Sequence, residues 1–400
     1  MIRAVRGISG EKGGTVTEDF ERALRYRLGR RDLLRYAGIA TLLAACKKAE
    51  TGGQSSTGAN RPPIGQEPGN LAVFDWAGYG DGSYYPKKEQ AAFWQAYQNQ
   101  TGDTPKFILF EDDDAGYSKA AAHAVTFDVV HPCAYRWGDW NALGILQPWD
   151  TSLIKNFPVL NPTLEKVGVF DGKQMFVACD WGFAAPMYRA DKVQFSGEPS
   201  WGLLFDESYN GKIAWWDSLN MFIVTGYYQG VSNPWDMSDD ELAQLRDFLI
   251  SKKPLVRFLW GVSYDLFKAF KQEEVYIGYA WPDAWVYSHN AGLDVVYPQP
   301  KEGRTSWFCG FGLSKDSRNY YHAHDYVDSW ASTKAGEFLL NYYAYGHANT
   351  QIDLSKIDPT IVKAFSLDDP TVLEEPRSHV ERPIARRSVY QDYWDQVKAA

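Results

Sequence analysis

Cysteine is scarce: four in 400 residues, at positions 46, 133, 179 and 309, with no two spaced C-x-x-C. That excludes a zinc ribbon and a dithiol redox motif. Catalytic strings are missing as well. There is no G-x-S-x-G and no phosphate-cradling glycine loop. Ser152-Leu153-Ile154-Lys155 has Ser-x-x-Lys spacing, but it lacks the companion elements of that hydrolase class, and its place before "NFPVL" reads as a surface turn. His322, His324 and Asp325 in "YYHAHDY" diverge on a helix, since residues two apart do not share a face; a partly exposed helix start is expected there, not a metal centre. No period of 20–50 residues recurs, which removes repeat architectures, and no apolar run reaches the about 20 residues that a spanning helix needs. Nothing calls for a cofactor, and the chain reads as a protein that is not an enzyme.

Positive charge is also thin. The whole chain carries −9, yet residues 1–45 hold nine Lys/Arg against five Asp/Glu, leaving 32 against 45 beyond them, or −13. A surface this acidic is unsuited to the nucleic-acid backbone. What is abundant is aromatic: 16% of the chain, with 16 Trp and 25 Tyr. That exceeds what a core alone usually requires, so some rings are expected to line a site. A chain of 400 residues, 45% hydrophobic, can bury a sizeable core and by length divides into two lobes.

The N-terminal region reads as an address. In "LGRRDLLRYAGIATLLAACKKAE", Arg30-Arg31 precede a short apolar stretch that ends in Leu43-Ala44-Ala45-Cys46, the order of an export signal. It resembles a twin-arginine signal joined to a bacterial lipobox. Residues 1–45 are then the signal segment, and Cys46 is the acylated first residue of the mature chain. Residues 46–69, rich in Gly, Ser, Pro and polar groups, form a flexible tether. The mature chain would lie outside the cytoplasm, where Cys133, Cys179 and Cys309 can form at most one disulfide.

From "NLAVFDW" onward, strand-like and helix-like segments alternate, the α/β pattern. "KKEQAAFWQAYQNQTG" is helical to a stop at Gly102, "KFILF" is a strand, and "EDDDAGYSKAAAHAV" enters a helix with carboxylates at its positive end. Asp171-Gly172 suits a tight hairpin turn, and Ser238 with Glu241 makes a capping box. The heptad "YAWPDAW", residues 279–285, places Asp283 between two tryptophans after a strand. It reads either as a buried tryptophan followed by a Pro-Asp turn, or as a cage for an organic cation, with indole faces and a carboxylate both drawing an ammonium.

"DWAGY", "FDVVHPCAY", "SWGLLFDESYNGKIAWWD", "YIGYAWPDAW" and "TSWFCGFGLSKDS", in this order and spacing over roughly residues 70–398, resemble the spermidine/putrescine-binding proteins of ABC transporters. The resemblance implies a two-lobed, type II periplasmic-binding α/β fold hinged by crossover strands near "CDWGFA" and "VVYPQPKEG". Lobe 1 would hold 70–182 and 303–330, and lobe 2 would hold 183–302 and 331–400. It places Trp76, Tyr79, Cys133 (for a small hydroxyl) and Tyr135 on lobe 1, and Asp217, Trp281 and Asp283 on lobe 2. Trp260 is a further aromatic candidate. Two positions depart from the acids that polyamine binders often carry: Asn220 and Cys309. Asp75 or Asp180 would then face the far end of a diamine.

The implied protein is a lipid-anchored, extracytoplasmic, monomeric receptor that passes a cationic amine to an ABC permease. A sugar ligand, or a sensor role without transport, are the rivals. If Cys46 is the lipid anchor, Cys46→Ala moves the protein from the membrane pellet to the soluble fraction on cell fractionation; retention in the pellet refutes the lipobox.

Overall fold

The structure, a computed structural model, describes residues 62–63, 65–80, 91–110, 113–369, 371–384 and 386–400. The expected signal segment, Cys46 and most of the tether lie outside the described residues. The end of the tether is within them and is held: the Glu67 carboxylate accepts from the backbone N–H groups of Tyr321 and His322, 2.8 Å each, at the start of a helix where N–H groups lack intrahelical partners.

Ten strands organise the description: β1 (Ala72–Trp76), β2 (Lys106–Phe110), β3 (Val129–Val130), β4 (Phe176–Arg189), β5 (Ile213–Trp216), β6 (Val256–Trp260), β7 (Ile277–Ala280), β8 (Arg304–Ser314), β9 (Gly346–His347) and β10 (Ser378–Val380). They pair in the order β2-β1-β3-β8-β4-β7-β5-β6. On one side β1 pairs β2 and β3 in parallel; on the other, β5 pairs β6 and β7 in parallel. The two long strands β8 and β4 run antiparallel in the middle. Such parallel flanks need helices over both faces, and their strands read as apolar runs instead of alternating ones.

β4 carries the chain from one half of the sheet to the other. Residues up to Ala184 pair with β8, and Ala185–Tyr188 pair with β7. Pro186 lies past the last β8 partner, so its missing N–H costs that ladder nothing. The register with β8 shifts by one at Cys179, since Cys309 faces Asp180 and Gly310 faces Ala178. A side chain at Gly310 would meet the Val177 carbonyl oxygen at 2.3 Å, which is why glycine sits at this bulge.

Helices close the faces: α1 (Gln95–Thr101), α2 (Asp113–Ala121), α3 (Asn220–Gln229), α4 (Asp239–Lys252), α5 (Ser263–Lys271), α6 (Pro282–Asn290), α7 (Tyr320–Trp330), α8 (Thr333–Tyr343) and α9 (Arg387–Ala399). Local signals hold. Gly102 caps α1 at φ 74°, Ser238 and Glu241 form the capping box of α4, and Asp171 and Gly172 both take positive φ in a hairpin turn. α8 packs against the segments that follow β1: Phe338 lies edge-on to Phe93 at 5.2 Å, and Tyr343 meets Tyr79 at 5.8 Å. α9 returns to α4, with the Arg246 guanidinium over the Tyr393 ring. Among the described residues no helix is long and apolar enough to cross a membrane.

Cys133, just after β3, and Cys309, on β8, form a disulfide across 176 residues of sequence; Cys179 is free and buried. The expectation that Cys133 stands in for a hydroxyl is corrected here: its sulfur is bonded, because the β3–β8 pairing brings the two chains together. Restricting so long a loop in the unfolded chain stabilises the fold by roughly 2–5 kcal/mol. The Cys133→Ser/Cys309→Ser variant is expected to lose that amount in denaturant unfolding, and wild type in reductant to match it. A loss below about 1 kcal/mol in both would contradict a structural role.

Candidate ligand-binding site

The heptad resolves as a helix start, not a free turn. Trp281 is the N-cap in extended conformation, Pro282 takes the first turn, and Asp283 follows it at the head of α6. Proline suits this position because the N–H it lacks would be unpaired anyway. The Asp283 carboxylate therefore sits at the positive end of the helix. It accepts the Ala284 N–H at 3.0 Å, and the nearby Ser263 and Tyr345 hydroxyls favour its charged form. Burial outweighs these and pushes its pKa up to about 6, since among the described residues no cation pairs with it closely enough to reverse the desolvation.

Around Asp283 lies a cavity of about 650 Å³ with aromatic walls. Trp216 and Trp281 meet edge to face at 4.8 Å. Trp307 stands on Gly182, where any side chain would meet the indole at 2.4 Å, and lies edge-on to Tyr345 at 4.8 Å. From the β1 side come Trp76, Tyr79 and Tyr135. The indole N–H groups of Trp76, Trp281 and Trp307 are buried without an acceptor among the described residues. Each such group costs about 1–3 kcal/mol, so packing and not hydrogen bonding holds these rings.

Beneath Tyr79 runs a buried chain of polar groups. Its hydroxyl donates to Asp180 at 2.6 Å, His131 Nε2 contacts Asp180 at 3.0 Å, and His131 Nδ1 contacts Asp75 at 2.8 Å. Burial alone would lower the His131 pKa, but Asp180 and Asp75 raise it to about 9, so the ring is a cation held between two carboxylates. Asp75 and Asp180, considered above for a ligand's far end, thus serve His131 and do not line the cavity.

Of the residues expected from sequence, Trp76, Tyr79, Cys133, Tyr135, Asn220, Trp281, Asp283 and Cys309 line the cavity together. Asp217 and Trp260 do not. Asp217 points the other way: its carboxylate accepts the Trp394 N–H at 2.9 Å and pairs with Lys398 at 3.2 Å, both on α9. Trp260 is buried behind Trp281 at 5.1 Å, its N–H donating to the Tyr279 carbonyl. Sequence reasoning missed Ser263, Tyr264, Tyr287, Trp307, Tyr345 and Glu381. Glu381 follows β10, is buried, and is held well above the usual carboxylate range by burial and the nearby Asp113, against the Tyr135 N–H. Only the "SWF" string hinted at any of these. His324, expected near an exposed helix start, is buried: Nδ1 donates to the Tyr320 carbonyl and Nε2 accepts the Asp150 N–H.

A family profile described as "Bacterial extracellular solute-binding protein" matches residues 110–364. The chain belongs to that family. Among these solute-binding proteins it is 25% identical over 271 residues to the putrescine-binding periplasmic protein PotF of Escherichia coli, covering 63% of this chain and 73% of that one. To the spermidine/putrescine-binding periplasmic protein of the same organism it is 22% identical over 230 residues, covering 56% of this chain and 64% of that one. The solved substrate-binding protein PotD of Streptococcus pneumoniae superposes with a TM-score of 0.67 at 19% identity, covering 83% of this chain and 99% of that one. The fold is the two-lobed type II periplasmic-binding α/β fold.

The raised pKa of Asp283 fixes a sign. Folding favours its protonated form, so its contribution to stability is fully present below the unfolded value of 3.8 and is lost as pH rises through about 6, a difference of up to about 3 kcal/mol. In ligand-free protein Asp283→Asn should therefore be more stable than wild type at pH 7, with the gap closing at pH 4, as read by denaturant unfolding at both. A gap independent of pH would show the carboxylate to be solvated.

Proposed function

We propose that this solute-binding protein is the receptor of an ABC importer and captures a cationic amine in the aromatic cavity, Asp283 accepting its ammonium. The observation that carries this is a buried carboxylate, presented at a helix start, with indole and phenol faces around it and no cation among the described residues paired with it. A charge-assisted hydrogen bond contributes about 1.5–3 kcal/mol, and each ring face about 0.5–2 kcal/mol. Trp76, Tyr79, Tyr135, Trp216 and Trp281 supply those faces. Asn220 supplies a neutral contact, and the Cys133–Cys309 disulfide a rigid patch of wall. Asp217 has no part in it; the second acid at the cavity is Glu381. The relatives named for putrescine and spermidine support the amine reading.

We assign 70–182 and 303–330 to the first lobe and 183–302 with the C-terminal helix α9 to the second. α8 goes with the first, since Phe338 and Tyr343 pack against Phe93 and Tyr79. β4 and β8 act as the hinge, and closure around the amine excludes water and strengthens each polar contact. The mature protein is a monomer, anchored through Cys46 outside the cytoplasm and docking on a permease when loaded.

A thermal-shift panel of putrescine, spermidine, choline, amino acids and glucose tests this. Amines are expected to raise the melting temperature of wild type at pH 7.5 and not that of Asp283→Asn. Affinity for them should climb about tenfold from pH 5 to pH 7, most of it below pH 6, and level off above pH 7, as Asp283 ionises with its pKa of about 6. A shift by glucose that survives in Asp283→Asn would replace the amine with a sugar.

A further inference from the structure

The aromatic surface does not stop at the acid but runs outward from it. Tyr287 is four residues beyond Asp283 on α6, so it lies on the same helix face about 6 Å further along. Tyr264 follows Ser263, which lines the cavity beside Asp283, and its ring meets Tyr287 edge to face at 5.6 Å. Val262 and Tyr264 are 47% and 51% exposed, and both line the cavity. They form an apolar lip on an otherwise acidic protein. The track thus has a charged end and an apolar end, separated by about one helical turn.

A linear diamine fits that gradient poorly. Each of its ends is an ammonium, and Val262 and Tyr264 offer the second one no carboxylate; the adjacent Asp265 is paired with Lys268 at 2.6 Å, and Lys268 Nζ already lies over the Tyr264 ring at 5.6 Å. Its few heavy atoms also fall short of a cavity of about 650 Å³, a size that usually encloses ligands with the bulk of a drug. Glu381, the second acid, is on the other side of the site: it rises from the strand paired with β8 and accepts from Tyr135 on the β1 side.

We propose that the ligand is a monocationic amine carrying a flat aromatic body, an arylalkylamine in the simplest case, with its ammonium on Asp283 and its ring against Tyr287 and Tyr264. This rests on the reading of Asp283 as the ammonium acceptor. A two-carbon spacer between nitrogen and ring matches the one-turn offset between the carboxylate and the tyrosines.

Isothermal titration of the mature protein with phenethylamine, tryptamine, putrescine and spermidine decides it. The arylalkylamines are expected to bind at least tenfold tighter than putrescine. Tyr264→Ala, at a half-exposed position that tolerates truncation, and Tyr287→Ala should each narrow that ratio at least threefold. Putrescine or spermidine binding as tightly as the arylalkylamines overturns this inference while leaving Asp283 as the amine acceptor. Binding by none of the four overturns both.

Discussion

The antiparallel pairing of Phe176–Arg189 with Arg304–Ser314 is the constraint on which the rest depends. These two strands lie side by side in the middle of the sheet, and the other strands attach on either side of them, β3 to β8 and β7 to β4. All but one residue of β4 is buried, so its backbone groups have nowhere to go but into these ladders. The bulge opposite Gly310 lets the strands stay paired while the chain changes direction. Because Trp307 and Cys309 ride on β8, the same pairing sets the cavity floor: the indole lies on Gly182 and the sulfur meets Cys133.

Two treatments of buried negative charge stand side by side. Asp75 and Asp180 are compensated from within by His131, which burial alone would neutralise and the two carboxylates keep charged. Asp217, nearer the surface, is compensated by Lys398. Among the described residues Asp283 has neutral neighbours, the Ala284 N–H and nearby hydroxyls, so its charge is held at a cost that a positively charged guest would relieve. Among the described residues the internal cations thus pair with acids of the architecture, and Asp283 lines the cavity without one. The disulfide and the hydrogen-bonded phenol of Tyr79 fix the wall opposite, which limits how far it can adapt.

How far the chain could be read ahead of its folding varies with distance along it. The α4 capping box, the Gly102 stop and the Asp171-Gly172 turn depend on atoms within a few residues, and all were legible. So was the family resemblance, carried by short strings at fixed spacing. The heptad was legible in composition but not in shape, since Pro282 suits a turn and a first helical turn equally well. Asp217 misled because its partners, Trp394 and Lys398, arrive on a helix nearly 180 residues later. Glu381 stayed hidden for the same reason: nothing beside it in sequence marks it, and it reaches the cavity only because β10 pairs with β8.

By itself the sequence determined the alternating α/β order, the aromatic wealth, the acidic surface and a carboxylate flanked by indoles, since each follows from residue type and short-range pattern. Only the tertiary structure decided which acid faces the cavity and which is spent on an internal cation, that Cys133 is bonded to Cys309, and where the tyrosine track leads. Those outcomes turn on pairings between segments from 23 to about 180 residues apart, whose approach is governed by strand register and burial and leaves no local trace.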